Sequence, residues 1–395
     1  MPAFSTKSKP TSVVGLDIDA GSVGAAEVRE NGSVELIRHG VAPIESGLFA
    51  DGEIVDPEGL ADSLKDVFAE HKLPKTVRIG VANQRVAVRT LNLPPIADEN
   101  ELASAIRFQA QDQLPMPLEQ AVLDWQVVGQ LPEERGGGLE VVAVAARRDM
   151  VGRFVETLKL AGLRPIGIDH AAFGMIRMLT RERASEPRSA HPRASEEPTE
   201  LMQEGESRLS YEERMERERG ADTDPLAPAP VVTTRLMAHL GDVTNVAIAT
   251  GSVCRFTRVA PTGVEGMAQG LAERRGLSLV HARQWLAYVG LGQPIEAIEG
   301  DPDTVRAARE ILGDGVVRLA DELRMTLEYY GASGGGALID EVVMFGPGAQ
   351  IPELVESLGA QLGQPVRTAA PAALAGLGEP VGARLALAYG TALDS

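Results

Sequence analysis

The sequence has few of the features that mark secreted, membrane-spanning or nucleic-acid-binding proteins. It contains one cysteine, Cys254, so no disulfide can form within the chain and we expect a reducing compartment. No run approaches the roughly 18 apolar residues of a membrane helix, and residues 1–12 contain no apolar signal core. Aromatic residues make up only 4% of the chain and the net charge is −18, so stacking platforms and basic patches are both scarce. Nucleic acid and anionic membrane surfaces are therefore excluded as expected direct partners.

An apolar segment near the start of the chain reverses direction within residues 13–28, VVGLDIDAGSVGAAEV. Asp17 and Asp19 fall on one side of the first predicted strand, because alternate strand residues point the same way. The turn is built from small residues, which are Ala20, Gly21, Ser22 and Gly24. Its amide N–H groups could approach a phosphate closely, as in anion-binding loops. The alternative is an ordinary hairpin with a solvated acidic face.

A second copy of this pattern follows more than two hundred residues later. Residues 15–43 and 236–263 both read as strand, small-polar turn, strand, tight hairpin and a third strand that ends in Val-Ala-Pro. Two such meanders facing each other across a cleft are the pattern of a duplicated nucleotide-binding fold. Chance similarity between β-meanders is the alternative.

The segments between the meanders alternate between helical and strand periodicity. Leu60, Leu64, Val67 and Phe68 mark one face of an amphipathic helix, and two strands follow it. Residues 181–230 lose periodicity and fill with Arg, Glu, Ser and Pro, so we expect a disordered linker there.

The region after the second meander is predicted to be mostly helical. Residues 264–290 and the long helix that follows are predicted to form a helical pair. A strand, a Gly-Pro-Gly turn and a helix then follow within residues 341–366, and such a helix N-terminus can bind anions.

Four stretches of the chain resemble the PilM family of actin-like proteins of type IV pilus assembly, which is itself similar to FtsA. They are LDIDAGSVGAAEV, ELASAIRFQAQDQLPMPLEQAVLDWQVV, VVAVAARRDMVGRFVETLKLAGLRPIGID and VVMFGPGAQIPELVESLGAQLGQPV. The second and third stretches are specific to the family, and the resemblance covers nearly the whole chain apart from the linker.

The resemblance implies an α/β, two-lobed actin/Hsp70-like (ribonuclease H-like) duplicated fold with an inserted FtsA-type subdomain. The implied domains are a first lobe at 13–85 completed by 171–180 and a C-terminal helix at 380–395, an inserted subdomain at 86–170, the disordered linker at 181–230, and a second lobe at 231–379.

The resemblance also implies a function and partners. It implies a cytoplasmic scaffold for a type IV pilus or type II secretion-like system, which binds the N-terminal tail of a PilN-like inner-membrane protein beside the inserted subdomain. Other pilus assembly proteins and self-association are further expected contacts. The C-terminal RLALAYGTALDS lacks a basic face, so we expect attachment to the inner face of the membrane through partners and no direct insertion.

The implied cofactor is ATP or ADP with Mg²⁺ in the cleft. The implied nucleotide-binding residues are Asp17, Asp19, Ala20, Gly21, Ser22, Gly241, Asp242, Thr244, Gly346, Gly348 and Ala349, with Asp17 also the metal ligand and no residue assigned as catalytic.

The chain departs from the family pattern at each of these loops. Asp19 stands where the family has Gly, and Gly24 stands where it has Lys, so the first loop is electrostatically poorer for phosphate. His239 replaces the family's Asp in the second loop, and Pro347 removes an N–H from the third. We therefore expect a weak or hydrolytically impaired site, at most a slow ATPase.

The alternative function is an active actin-fold ATPase or a sugar-kinase-like phosphotransferase. It requires a carboxylate in the cleft as general base, and Asp17 is the one candidate that the pattern offers. The chain has no Walker G-x-x-x-x-G-K-[ST] motif, so a P-loop enzyme is excluded.

Overall fold

A computed structural model describes residues 12–31, 33–131, 137–185, 232–332, 338–369 and 371–394. Of the linker predicted at 181–230, residues 186–230 lie outside these described residues. In the described part, no helix combines the length and apolar character needed to cross a bilayer.

The strands of the described residues form two larger sheets, a smaller sheet and a short hairpin. They are β1 (Val13–Asp19), β2 (Ser22–Glu30), β3 (Val34–Pro43), β4 (Phe49–Ala50), β5 (Glu53–Ile54), β6 (Thr76–Val81), β7 (Val86–Leu93), β8 (Ala121–Gln130), β9 (Leu139–Arg147), β10 (Arg164–His170), β11 (Thr234–Leu240), β12 (Thr244–Thr250), β13 (Val253–Ala260), β14 (Glu341–Phe345) and β15 (Val366–Thr368).

The α-helices of the described residues cover the faces of these sheets. They are α1 (Pro57–Glu70), α2 (Glu99–Gln113), α3 (Arg148–Leu160), α4 (Ala171–Ser185), α5 (Val264–Arg275), α6 (Leu279–Val289), α7 (Pro302–Ala332), α8 (Leu354–Leu362) and α9 (Glu379–Ala392).

The two five-stranded sheets repeat one topology. The first has the order β10-β6-β1-β2-β3, and the second has the order β15-β14-β11-β12-β13. In each sheet the first strand of the meander pairs antiparallel with the second strand and parallel with a strand from later in the chain. Each sheet and its helices form one lobe. The two meanders predicted from the sequence therefore occupy equivalent positions in two similar lobes.

Apolar cores on both faces explain why nearly every residue of β1 and β11 is buried. One face of the first sheet packs against α1 and α3, and one face of the second packs against α5, α6, α7 and α8. The face of α1 predicted from Leu60, Leu64, Val67 and Phe68 is buried as expected.

Helices α4 and α9 lie between the two sheets and share a core with both. Residues 382–392 of α9 are buried throughout, so this helix has no solvent face there. It approaches β1 so closely that a Cβ at Gly15 would lie 1.9 Å from the carbonyl oxygen of Ala388. Glycine is therefore required at this crossing.

The smaller sheet has the order β7-β9-β8 and is covered by α2. We expected residues 86–170 to form one inserted subdomain, but the packing divides this range between the smaller sheet and the first lobe. Strand β10 pairs parallel with β6 in the first sheet, and α3 contributes Phe154 and Leu158 to the core of the first lobe. A strand that follows a covering helix can extend the parallel sheet, which local periodicity does not reveal.

The predicted helical pair after the second meander is wrong, since three helices occupy this region. Gly276 ends α5 with a left-handed conformation (φ 65°), and the side chain of Ser278 caps the first turn of α6. A glycine at the helix end followed by a serine cap is a stop and a start signal in the chain.

Candidate functional site

The turn between β1 and β2 is occupied by a side chain from the far end of the chain. Arg384 of α9 forms a buried ion pair with the carboxylate of Asp17. Its Nε donates to Ser22 Oγ at 2.6 Å, and its Nη2 donates to the carbonyl oxygens of Ser22 and Asp17 at 2.7 and 3.0 Å. The guanidinium thus satisfies both the acid and the carbonyl groups of the turn that was predicted to bind phosphate.

Asp19 bridges the two lobes. Its Oδ1 accepts hydrogen bonds from the amide of Ala20 at 2.8 Å and from the amide of Asp242 at 3.0 Å. The carboxylate lies so close to the second loop that a Cβ at Gly241 would be 2.5 Å from Asp19 Oδ2. Burial raises the pKa of Asp19, and the negative charge of Asp17 adds to this effect. A carboxylate of the chain therefore occupies amide donors from both phosphate-loop positions.

Asp242 makes a second contact between the lobes. Its Oδ2 accepts from the amide of Gly52 at 3.3 Å, and the carbonyl oxygen of Gly52 accepts from Asn83 Nδ2 at 3.0 Å. Burial, together with the nearby charge of Asp19, raises the pKa of Asp242 to about 7. The Asp242 carboxyl is therefore partly protonated near neutral pH.

Arg283 of α6 forms a third contact with the first lobe. Its Nε and Nη2 donate to the two carboxylate oxygens of Glu265 at 2.7 and 2.6 Å, and Nη2 lies 3.5 Å from the carbonyl oxygen of Ala20. A Cβ at Gly21 would be 2.8 Å from the guanidinium carbon. Gly21 therefore faces an arginine that is already held by an acid.

The space left between the lobes is small. The interlobe cavity has a volume of about 30 Å³ and is lined by Asp17, Asp19, His239, Gly241, Asp242 and apolar neighbours. That volume suits roughly one water molecule. His239 is 5% exposed, burial lowers its pKa, and its Nε2 has no hydrogen-bond partner, so the cavity wall carries an unsatisfied polar atom.

The remaining predicted residues lie behind this cavity. Thr244 is buried and donates from Oγ1 to the carbonyl oxygen of Thr262 at 2.6 Å. Gly346 adopts φ 93° and packs against His239, while a Cβ at Gly348 would lie 2.8 Å from that of Leu240. Ala349 donates its amide to the carbonyl oxygen of Gly346 at 3.1 Å. These four positions do not line the cavity in this arrangement, and their nucleotide-binding role stays a prediction.

The residues of the cleft do not fit Mg²⁺ or a nucleotide as they are arranged. The Asp17 carboxylate is paired with Arg384, and the described residues contain no cluster of His, Cys, Asp and Glu suited to a metal ion. The cavity between the lobes is far smaller than a nucleotide site, since ligand pockets typically measure about 300–1,000 Å³. Binding would require Asp19 to release the amides that it occupies.

A second, narrow site lies where α3 meets the first lobe. The α3 groove is lined by Glu53, Arg85, Asp149, Arg153 and apolar neighbours, with a volume of about 40 Å³. Glu53 and Arg85 form an ion pair at 2.8 Å, and Arg153 Nη1 donates to the carbonyl oxygen of Ile54 at 3.2 Å. Acidic and basic side chains therefore line the same groove, and some of their hydrogen-bond donors already have partners within the chain.

Sequence reasoning missed Arg384 and Arg283, although both arginines contact the first turn. For Arg384 a signal was present, because it is a single charge inside the apolar run VGARLALAYG and a buried charge requires a partner. No local pattern identified Arg283, since its contact with Ala20 joins segments far apart in the chain.

Residues 15–192 match the family model of the type IV pilus assembly protein PilM. Among solved structures, a PilM-PilN type IV pilus biogenesis complex is similar, with 22% identity, coverage of 97% of this chain and 98% of that chain, and a TM-score of 0.71.

Two further structures are similar at lower TM-scores. The ethanolamine utilization protein EutJ from Carboxydothermus hydrogenoformans has 12% identity, coverage of 98% and 90%, and a TM-score of 0.48. MreB 5 of Spiroplasma citri bound to AMPPNP has 11% identity, coverage of 97% and 95%, and a TM-score of 0.48.

The two-lobed actin-like fold expected from the sequence is confirmed by the repeated sheets and by the likeness over nearly the whole chain. Residues 15–192 of this chain are thus similar to the family of the type IV pilus assembly protein PilM.

Proposed function

We propose that the chain is a cytoplasmic scaffold of a type IV pilus or related secretion machine, held at the inner face of the membrane by the N-terminal tail of a PilN-like protein. Its cleft binds nucleotide weakly or without efficient hydrolysis. The family match over residues 15–192 supports the pilus role, and the similar PilM-PilN complex supports the partner.

The proposal that the cleft binds nucleotide weakly rests on one observation, which is that the chain's own side chains occupy the cleft. Asp19 accepts from amides of both lobes, and Arg384 fills the β1–β2 turn. A phosphate would have to displace a carboxylate that already uses the same donors. The lobes are thus held together by internal contacts, which suits a scaffold more than a protein that closes on ATP.

The enzyme alternative receives less support from the same contacts. A phosphotransferase needs a carboxylate free to accept a proton from its substrate. Asp17, the candidate for that role, is buried in an ion pair with Arg384. A guanidinium that neutralises the acid removes its usefulness as a general base.

We propose the α3 groove as the docking site of the partner tail, because it lies beside the smaller sheet where the family resemblance puts the tail. Glu53, Arg85 and Arg153 offer charged partners for a peptide main chain and its polar side chains. A tail that lies across the mouth of this groove, without entering its small interior, would contact α3 and the first lobe together.

The test is fluorescence anisotropy with a labelled peptide of the PilN-like tail. We expect binding by the parent chain, and a loss of about tenfold or more for Arg85→Glu and Arg153→Glu, since each change reverses a charge in the groove. Arg306→Glu, an exposed change on α7, serves as the matched control and should bind as the parent does. Absence of peptide binding, or equal binding by all variants, would contradict the proposed docking site.

A further inference from the structure

Strand β8 forms an edge of the smaller sheet and has one open side. The sheet order is β7-β9-β8, so within the described ranges β8 pairs with β9 on one side and with no strand on the other. The opposite edge strand, β7, packs against β13 of the second lobe. β8 is 10 residues long and contains no proline or lysine, which are residues that commonly protect edge strands. It is therefore the edge at which a further strand could add.

The main-chain groups of alternate residues of β8 point to this open side. The amide of Trp125 donates to Asp124 Oδ1 at 2.9 Å, which places it on the side away from β9. The carbonyl oxygen of Ala121 likewise accepts from a side chain, Nη2 of Arg148, at 2.7 Å. In an antiparallel strand the N–H and C=O of one residue share a side, and every second residue repeats it. The odd-numbered residues of 121–127 therefore direct their main-chain groups to the open edge.

The usable length of this edge is short. The register with β9 shifts between Val127 and Gly129, so the alternation ends there, and at the other end the first carbonyl group of β8 is already bonded. Leu123 and Val127 each present a donor and an acceptor, and Trp125 presents its carbonyl group while Asp124 holds its amide. This edge spans about five residues, or roughly 17 Å, which suits a short extended segment.

The side chains along the edge favour a segment of alternating character. Leu123 and Trp125 pack beside the core under α2, and Val127, on the same face by alternation, is 43% exposed. Asp124 is exposed on the opposite face, and no basic side chain of the described residues pairs with it. Apolar pairs and pairs of opposite charge stabilise neighbouring strands. The fitting segment thus has apolar residues on one face and a lysine or arginine opposite Asp124.

The open edge begins beside the α3 groove. Arg148, which bonds to the start of β8, is the first residue of α3, and the two residues that follow it, Asp149 and Met150, line the groove. An extended chain that lies across the mouth of the groove is therefore only a few residues away from the β8 edge.

We propose that the partner tail adds to β8 as a fourth strand of the smaller sheet and that a cationic residue of the tail pairs with Asp124. This pairing draws the carboxylate away from the Trp125 amide, which then donates to the main chain of the tail. Strand addition takes its affinity from main-chain hydrogen bonds and its specificity from alternate side chains. The inference rests on the tail docking proposed above and extends it from the groove to the edge of the sheet.

Two variants at one position test the addition by fluorescence anisotropy with the labelled tail peptide. Val127→Pro removes an amide on the open side, and its ring obstructs a neighbouring strand, so we expect binding to weaken by about tenfold or more. Val127→Ala removes the same side chain but keeps the amide, and it should bind within about threefold of the parent. Proline is tolerated where the N–H of an edge strand faces solvent, so thermal unfolding of Val127→Pro should stay close to that of the parent.

Hydrogen exchange of the parent chain detects the same contact without a substitution. Bound tail peptide should slow exchange of the amides of Leu123 and Val127. It should leave the amides of Asp124 and Gln126 unchanged, because these already bond to β9. Protection of alternate residues is particular to a paired strand, since a peptide that merely covers the surface would protect neighbouring amides alike.

The pairing with Asp124 is tested by Asp124→Asn, which keeps an acceptor for the Trp125 amide and removes the charge. We expect the tail to bind about threefold more weakly at low salt, and the difference from the parent to disappear at about 1 M salt. Asp314→Asn, an exposed change on α7, is the matched control and should bind as the parent does.

Equal binding by Val127→Pro and Val127→Ala, or uniform protection of residues 122–127, would overturn the strand addition. Unchanged binding by Asp124→Asn would overturn the cation pairing. If binding still falls for Arg85→Glu and Arg153→Glu in these cases, docking at the α3 groove stands without the added strand. A parent chain that binds no tail peptide would overturn both proposals.

Discussion

Replacing Asp19 should allow the cleft to bind a nucleotide, because the side chain of Asp19 now occupies the amides that would hold a phosphate. Asp19→Gly removes the acceptor that occupies the amides of Ala20 and Asp242, and it restores the residue that the family pattern has at this position. It also removes one negative charge from a pocket that contains Asp17 and Asp242. Both effects favour a bound phosphate.

The magnitude follows from the position of the charge. In the parent chain, an Asp19 carboxylate displaced from the amides would still lie about 4 Å from a phosphate bound there, and it would repel that phosphate by roughly 4 kcal/mol at an effective dielectric of 20. Screening and rearrangement reduce this value. If about half of this repulsion remains after screening and rearrangement, removal of the Asp19 charge strengthens ATP binding by about 30-fold.

Isothermal titration calorimetry with ATP, in the presence of Mg²⁺, measures the effect. We expect Asp19→Gly to bind at least about 30-fold more tightly than the parent, and Asp19→Asn to lie between the two, since the amide keeps the size and the acceptor of the side chain. Asp314→Asn, a neutralised acid exposed on α7, is the matched control and should bind as the parent does.

The reasoning is refuted if Asp19→Gly is folded and binds ATP no more tightly than the parent chain. It is equally refuted if the parent chain itself binds ATP tightly, because the internal carboxylate would then be no obstacle.

Two further predictions concern the stability of the same junction. The pKa of Asp242 is about 7 in the folded chain against an ordinary 3.8, so the folded state holds a proton that the unfolded state releases between about pH 4 and pH 7. Stability should therefore fall as pH rises through this window, by at most about 1.4 kcal/mol per pH unit for one proton, and Asp242→Asn should reduce the slope in urea unfolding. Arg384→Met should cost about 3–5 kcal/mol because it leaves Asp17 buried without a partner, and the double variant Asp17→Asn/Arg384→Met should recover much of that loss. An unchanged pH slope, or a double variant as unstable as the single one, would count against these assignments.

Much of the fold could be predicted because its signals are local. The alternation of apolar residues identified β1 and β2, and the spacing of Leu60, Leu64 and Phe68 identified the buried face of α1. The duplication was visible because both meanders carry the same order of strands and turns. Such patterns are set by which residues must be buried within one element, so a single stretch of sequence contains them.

The grouping of elements was harder to predict. Strand β10 was expected to belong to an inserted subdomain, yet it extends the first sheet beside β6. The break at Gly276 was also missed, although a glycine followed by a serine cap was present. In the first case nothing local indicates the neighbour of a strand, and in the second a local signal was outweighed by the helical periodicity on both sides.

The sequence by itself determined the two meanders, the helices that cover them and the family likeness, because local periodicity indicates which residues of each strand or helix are buried. Only the tertiary structure decided what occupies the cleft. Arg384 reaches Asp17 across 367 positions of the chain, and the amide of Asp242 reaches Asp19 across 223. A buried charge takes its partner from whichever segment packs against it, and that choice exists only once distant segments are brought together.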